Sequence, residues 1–342
     1  MFSDLTRDRL IRFKKIRRAY YALWILGIAF CLSLFSEFIA NDKPLYLRYN
    51  GRSYFPVLFF YSEKTFGGQY DTEADYLKLR NDKAFLRNGF MILPIIPHSP
   101  LHSYLDLAGN PPHPPSSSHW LGTDSTARDV LSRLIYGFRI CMTFALCLMI
   151  MGAVMGIIIG GVQGYLGGAT DIIMQRLIEI WSSLPFLYVV ILVGSVYGSN
   201  FILLLIVMGI FQWIGLSYYM RGEFYKLKDM TYVRAARAMG IGHISIFFRQ
   251  ILPNAITPVI TIMPFSLIGG ITSLTALDFL GFGLPPPAPS WGELLSQGLN
   301  NLYAPWIAVS TVSALFITLL LATFIGEGVR EAFDPKSEYR IE

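Results

Sequence analysis

The sequence predicts an all-α integral membrane protein of about six transmembrane helices, with a long insertion between the first and the second. Three observations carry this prediction. Only 15% of the 342 residues are charged while 53% are hydrophobic, against about 25% charged in a typical soluble domain. The charge deficit is concentrated in runs that carry no charge at all, as a bilayer core requires. Seven Lys/Arg fall within the first 18 residues, directly before an apolar run. The net charge of +5 therefore reads as membrane topology and not as nucleic-acid binding.

The spans follow from those runs. Residues 19–40 hold one acidic residue, Glu37, near their end. This stretch is too long for the apolar region of a signal peptide, and the sequence around Glu37 is a poor cleavage site, so it reads as a retained anchor. Residues 140–162 carry no charge, and neither do residues 180–220, which Gly198-Ser199-Asn200 divides into two spans. Residues 252–277 are uncharged but contain Pro253, Pro258 and Pro264; residues 304–326 are again uncharged. Each segment is close to the roughly 20 residues that cross a hydrocarbon core.

Charge in the short loops gives the orientation. Arg7, Arg9, Arg12, Lys14, Lys15, Arg17 and Arg18 face only Asp4 and Asp8, which places the N-terminus in the cytoplasm. Six crossings return the C-terminus to the same side. The loop after the fourth span, 221–251, is then cytoplasmic, and its Arg221, Lys226, Lys228, Arg234, Arg237 and Arg249 agree with that. Residues 278–303 contain no Lys or Arg and fall outside, as does the insertion 41–139.

The insertion reads as a small folded or half-folded layer, with a stiff linker over 111–118. Its His98, His102, His113 and His119 match no zinc spacing and have no cysteine beside them, so they are expected to be ordinary solvated histidines, and no metal site is predicted. From residue 124 to 139 the pattern is amphipathic and predicts a helix lying at the membrane surface before the second span. Cys31, Cys141 and Cys147 all lie in apolar stretches and predict no disulfide.

Gly152, Gly156 and Gly160, continued by Gly164 and Gly168, recur every four residues and predict a groove for the close approach of another helix. Gly164 and Gly168 are expected in a turn. Asp171 and Glu179, at the start of the third span, are candidates for a gate or a polar contact within the bundle. Gln163, Gln212, Ser217, Thr272, Ser273 and Thr275 are neutral polar groups that could line a passage or hydrogen-bond across helices.

The loop segment 231–253 predicts a short helix capped by Thr231, ended by Gly240 in a left-handed conformation, and a second helix over 244–252 running into Pro253. Arg234 and Arg237 lie one turn apart beside Ala235, Ala236 and Ala238, a slim knob suited either to a groove on a soluble partner or to anionic lipid headgroups.

Ala235-Ala236, Gly240 four residues after Ala236, and Ile251-Leu252-Pro253 resemble the EAA motif of permease subunits of binding-protein-dependent ABC importers, with Arg234 in place of the leading Glu. Leu121-Gly-Thr-Asp124, Arg128-Asp-Val-Leu-Ser-Arg133, Tyr165-Leu-Gly-Gly168 with Asp171, and the segment Leu280 to Gly292 resemble the C-type permease of the oligopeptide, dipeptide and nickel importers. Residues 36–45, Tyr54-Phe-Pro56 and Phe66-Gly-Gly68 are similar to the microcin C–type peptide importer permeases.

The resemblance implies a multi-pass protein of the bacterial inner membrane with both termini cytoplasmic. Its expected organisation is a cytoplasmic N-terminus (1–18), a first transmembrane helix (19–40), a periplasmic insertion (41–139), a MetI-like type I permease core (140–326) and a cytoplasmic C-terminus (327–342). It implies a second homologous permease, two ATPase domains or one fused dimeric ATPase, and a periplasmic peptide-binding protein. It makes Arg234, Ala235, Ala236, Arg237 and Gly240 a coupling helix docked on the ATPase. No cofactor is expected in this chain, ATP and Mg²⁺ belonging to the partner: no Gly-x-x-x-x-Gly-Lys phosphate loop occurs. Neither His-Glu-x-x-His nor Gly-x-Ser-x-Gly is present, so no enzyme is expected. An ion-coupled transporter acting without an ATPase is the rival class, but it needs ionisable residues deep in several spans, and these spans have none.

Overall fold

The computed structural model describes residues 4–333; the last part of the expected C-terminal segment, 334–342, lies outside the described residues. Its elements are α1 (Asp4–Lys15), α2 (Arg17–Leu34), β1 (Tyr46–Tyr49), β2 (Arg52–Tyr54), β3 (Gly89–Ile92), α3 (Val130–Leu166), α4 (Gly168–Ser182), α5 (Phe186–Tyr197), α6 (Phe201–Gln212), α7 (Ile214–Leu227), α8 (Thr231–Ala238), α9 (Thr257–Phe279), α10 (Trp291–Asn300) and α11 (Pro305–Phe333), with short helical turns between them. Four helices are long and apolar enough to cross a membrane, and six if each of two bent pairs counts as one span.

Helix breakers account for the departures from the expected spans. The third span is α4 and α5, bent by 68° at Ser183-Leu184-Pro185. Pro185 has no N–H to offer α4 and disfavours helix in the residue before it. The first span ends at Leu34 and not at residue 40, with a single further turn, Ser36–Ile39. Thr257–Phe279 has Pro258 in its first turn, where a missing N–H costs nothing, and carries Pro264 inside it.

The chain divides into two compact units, one of Met1–Gly27, Cys141–Pro285 and Phe316–Glu342, the other of Ile28–Ile140 and Pro286–Leu315. In the first unit the glycine row of α3 lies against α7 and the end of α6. A Cβ added at Gly152 would sit 2.8 Å from Gln212 Cγ, and one at Gly156 would sit 2.9 Å from Leu216 Cβ and 3.1 Å from the Trp213 carbonyl. At Gly160 and Gly164 it would strike the carbonyl oxygens of Ser217 and Arg221. Backbone meets backbone along this seam, the arrangement small residues permit where lipid removes the hydrophobic drive. Gly164 belongs to α3 and not to a turn, since the helix runs on to Leu166. The turn is made by Gly167 and Gly168, both with positive φ, +66° and +57°.

The second unit contains the insertion, expected as a small folded or half-folded layer, and its strands depart from the all-α class expected of the chain. A three-stranded antiparallel sheet, ordered β2-β1-β3, sits over a core of Leu47, Phe66, Ala74, Tyr76 and Phe85. Asn50 and Gly51 join β1 to β2, both with positive φ, the signature of a tight two-residue hairpin whose twist matches the strands.

The expected surface helix over 124–139 does not form as a separate element. Nothing between Phe138 and Ile140 stops a helix, so Val130–Leu166 is one element of 37 residues, about 55 Å long against a hydrocarbon core of about 30 Å. Its charged residues are not on a wet face. Asp124, Arg128, Asp129 and Arg133 are buried. Asp124 Oδ2 accepts from Arg128 Nε at 2.8 Å, Arg128 Nη2 donates to Glu293 Oε1 at 2.7 Å, and Arg133 Nη2 donates to Glu293 Oε2. Glu293 sits at the start of α10, whose preceding Ser290 hydroxyl accepts from the Glu293 N–H. Trp291 is buried beside it, its indole N–H donating 3.0 Å to the Leu134 carbonyl. This cluster of two arginines and two carboxylates locks α10 onto the start of α3.

Two outcomes follow from these contacts. Gly156→Leu is expected to lower the thermal unfolding midpoint of the purified protein, overpacking costing roughly 1–3 kcal/mol, whereas Gly215→Ala, with no neighbour within 4 Å, leaves it unchanged. Glu293→Gln leaves Asp124 to balance two buried guanidinium groups and is expected to cost about 3 kcal/mol. Adding Arg133→Met to it should then lose less than the sum of the single losses, as a double-mutant cycle in the same assay would read.

Candidate functional site

The loop helix α8 is built as expected, with one shift at its start. Met230 is the extended residue before the helix, and Thr231 is its first helical residue and offers no side-chain cap. The far end closes in two reciprocal bonds, Gly240 N–H to the Arg237 carbonyl at 3.0 Å and Ile241 N–H to the Ala236 carbonyl at 3.1 Å. These are the bonds of a Schellman ending, with Gly240 at φ +78° as the left-handed residue.

Burial sorts the predicted site residues into two sets. Val233 and Ala236 point inward, 0% and 3% exposed, into a core with Tyr165, Met220, Phe224, Ile246, Phe247 and Ile251. Arg234, Ala235, Arg237 and Gly240 are exposed. Ala236 was expected on the docking face; its side chain instead anchors the helix to this chain's own core. The outward face gains Tyr232, Met239, Ile244 and Phe248, all exposed, so the knob is basic and apolar together.

A second set of contacts, not foreseen from sequence, fixes α8 to the end of α3. The Arg237 guanidinium lies 5.2 Å over the Tyr165 ring, and the Tyr165 hydroxyl bonds His243 Nδ1 at 2.7 Å. After α8 the chain continues through His243–Ser245, a π-helical turn over Ile246–Ile251 and then Leu252–Ala255, not as one uniform helix over 244–252. Pro253 explains it: proline leaves the carbonyl one turn earlier unpartnered, and a wider turn before it relieves the clash. The Tyr165-Leu-Gly-Gly168 signal marks this corner.

Asp171 and Glu179 separate. Asp171 accepts a two-pronged pair from Arg221 of α7, 2.6 Å from Nε and 2.7 Å from Nη2, the strong fork geometry of arginine and carboxylate. Gln163 braces the same corner through the Asp171 carbonyl and Gln175. Glu179 pairs with the exposed Arg176 of its own helix, at 2.6 Å, and accepts from Gln175 Nε2 at 3.5 Å. Among the neutral polar residues, Ser217 and Thr275 are buried and bond carbonyls of their own helices, and Gln163 is buried. Of these, Gln163 ties α3 to α4, while Ser217 and Thr275 bond within their own helices. Gln212 lines a cleft of about 290 Å³ with Met149, Tyr219 and Met263.

In the insertion, His102 is exposed as expected, but His98 and His119 are not solvated; they are 8% and 4% exposed. Their rings stack at 4.1 Å, and His119 Nδ1 lies 2.8 Å from Asp129 Oδ2. The reason is the fold around them: the Ser118 carbonyl accepts from His98 Nε2, and the Ser132 hydroxyl donates to the His98 carbonyl, which hold His98 in this corner. Among the described residues, His98, His119 and Asp129 are the group placed to hold a metal ion.

Comparison with known proteins agrees with this geometry. The family model for the inner membrane component of binding-protein-dependent transport systems matches residues 152–339, the segment that holds the glycine seam and the loop helix. Two relatives match almost end to end. The peptidoglycan transport system permease protein YejE of Agrobacterium fabrum is 42% identical over 99% of this chain and 95% of its own length. The inner membrane ABC transporter permease protein YejE of Escherichia coli is 46% identical over 97% of this chain and 98% of its own. The oligopeptide transport system permease protein OppC of Haemophilus influenzae is 37% identical over 64% of this chain and 70% of its own. The chain belongs to the family of binding-protein-dependent transport system inner membrane components, as a permease subunit and not an enzyme.

Proposed function

We propose that this chain is one of the two membrane subunits of an ATP-driven importer of peptides, and that Thr231–Gly240 is the joint through which an ATPase moves it. The observation that carries the coupling role is the division of α8 into an inner anchor, Val233 and Ala236, and an outer face of Arg234, Ala235 and Met239 that the described residues leave uncovered. A joint of this kind has to be rigid on one side and open on the other. The partners are a second, homologous permease, two ATPase domains or one fused dimeric ATPase that bind ATP and Mg²⁺, and a periplasmic binding protein. Both termini and residues 221–251 lie in the cytoplasm, and residues 41–139 and 278–303 in the periplasm, following the Lys/Arg bias of the short loops. A transporter that runs without an ATPase is disfavoured by the family.

The cargo class is peptide. The relatives that match end to end are named for peptidoglycan transport in one case, and the next is named for oligopeptides; peptide bonds are what these cargoes share. Microcin C-like modified peptides fall in the same class. The end-to-end relatives cover the insertion, residues 41–139, as well.

Two measurements test the proposal. An impermeant thiol reagent applied to intact cells should label a cysteine placed at Lys64 and spare one at Lys228; labelling at 228 alone sinks the orientation. Gly240→Val forces a β-branched residue into a left-handed conformation, a strain of about 1–2 kcal/mol, while the protein still inserts. Peptide-stimulated ATP hydrolysis by the reconstituted complex and peptide uptake should both fall severalfold. Ala235→Asp, on the exposed face, should do the same with no loss of thermal stability. Normal uptake in both variants at normal protein levels removes the coupling role.

A further inference from the structure

We propose that His98, His119 and Asp129 form a binding site for one divalent transition-metal ion, best suited to Zn²⁺, in the insertion domain. The inference is independent of the cargo and of the coupling role.

The first observation is the donor set. One ligand atom from each of the three residues lies within 4.8 Å of the others, and all three residues are buried. An ion central to three atoms at that limit is about 2.8 Å from each, so a contraction of about 0.7 Å reaches the 2.0–2.2 Å of zinc bonds. Two imidazoles and a carboxylate are ligands that zinc shares with few other abundant ions; calcium and magnesium prefer all-oxygen shells.

The second observation is an orphan. His98 Nε2 lies 2.8 Å from the Ser118 carbonyl. A carbonyl only accepts, so Nε2 carries the ring proton and Nδ1 carries the lone pair. That Nδ1 is buried and has no hydrogen-bond partner. Leaving a buried polar atom unpaired typically costs about 1–3 kcal/mol, and a buried, unpartnered lone pair this near two other donor groups is one that a cation would satisfy.

The third observation is the His119–Asp129 pair. Nδ1 and Oδ2 face each other at 2.8 Å across one proton. Two ligands on one tetrahedral zinc are about 3.3 Å apart, so an ion can take the place of that proton with little movement, and the proton leaves to water. Asp129 Oδ1 is meanwhile held by the Ser132 N–H at 2.7 Å, and His98 by Ser118. These are the supporting bonds that orient metal ligands.

Three protein ligands leave a fourth position. His98 and Asp129 line a cleft of about 270 Å³ together with Arg80, Pro97, Ser117 and Trp120, so that position opens onto the cleft. The positive charge of Arg80 there favours an anionic fourth ligand, such as hydroxide or a carboxylate.

The test uses the full-length protein, purified with a histidine-free tag and stripped with a chelator. Titration with Co²⁺ should give one equivalent bound, with the visible absorption bands of a tetrahedral ion, and Zn²⁺ should displace it. His98→Gln, His119→Gln and Asp129→Asn should each weaken binding at least tenfold, while His102→Gln and His113→Gln leave it unchanged. Absence of stoichiometric binding by the wild-type protein overturns the site. So does unchanged affinity in His98→Gln. If the three variants unfold, the wild-type titration and its competition by Zn²⁺ decide the question alone.

Discussion

The close approach of α3 and α7 is the constraint on which the first unit depends. Gly156, Gly160 and Gly164 bring two backbones together where any side chain would hold them apart, and in a bilayer such packing replaces the hydrophobic effect as the reason for helices to associate. The consequences spread along both helices. With the seam closed, Asp171 reaches Arg221, Tyr165 reaches His243, and Phe224 and Met220 complete the core that receives Val233 and Ala236. The loop helix is therefore positioned by glycines one to several turns away from it.

Charge is handled differently in the two units. In the apolar helices the charged residues are few: Asp171 is forked by Arg221, and Glu179 is left at the surface beside Arg176. In the insertion the opposite choice is made. Asp124, Arg128 and Arg133 are buried with Glu293 in a cluster of net zero charge. Such a cluster adds little stability over an apolar core, but it penalises any arrangement that leaves a member unpaired. It fixes where α10 lands, and the segment around Ser290–Glu293 cannot slip by one residue without taking Glu293 from both arginines.

Much of this was legible in the sequence because it is written in backbone chemistry. Charge-free runs gave the spans, the four-residue glycine period gave the seam, and Gly240 gave the helix ending. The bend at Pro185 was written there too, although no break was expected at that residue. What was not legible depends on long-range pairing. Asp124 to Arg139 has the periodicity of a surface helix, yet its polar face is buried because Glu293, more than 150 residues later, supplies the counter-charges. The capping pair Ser290 and Glu293 was the one local signal of that partner. The histidines failed in the same way: His98 and His119 have no metal-like spacing, because Asp129 and the Ser118 carbonyl, which give them their roles, come from other parts of the loop. Nor does periodicity tell Ala235 from Ala236, which are adjacent on a helix and differ only in which one meets Phe247 and Tyr165.

That last distinction bears on how a permease can be driven at all. A helix moved by a partner has to transmit displacement inward, which requires contacts that do not yield, and it has to present a surface that the chain itself does not cover. Val233 and Ala236 are nearly fully buried and Met239 and Ile244 are 73% and 78% exposed, so both conditions meet within one short helix and the turn after it. The Schellman ending at Gly240 closes the helix with backbone bonds alone, which spends no side chain of the outer face on capping. The π-turn before Pro253 sits between this knob and α9, and a turn with looser bonding there lets α9 take a direction different from that of α8 while the core around Phe247 stays packed. In the proposed reading, displacement of α8 reaches α3 through Tyr165 and α7 through Phe224, and the glycine seam makes those two helices move as one body.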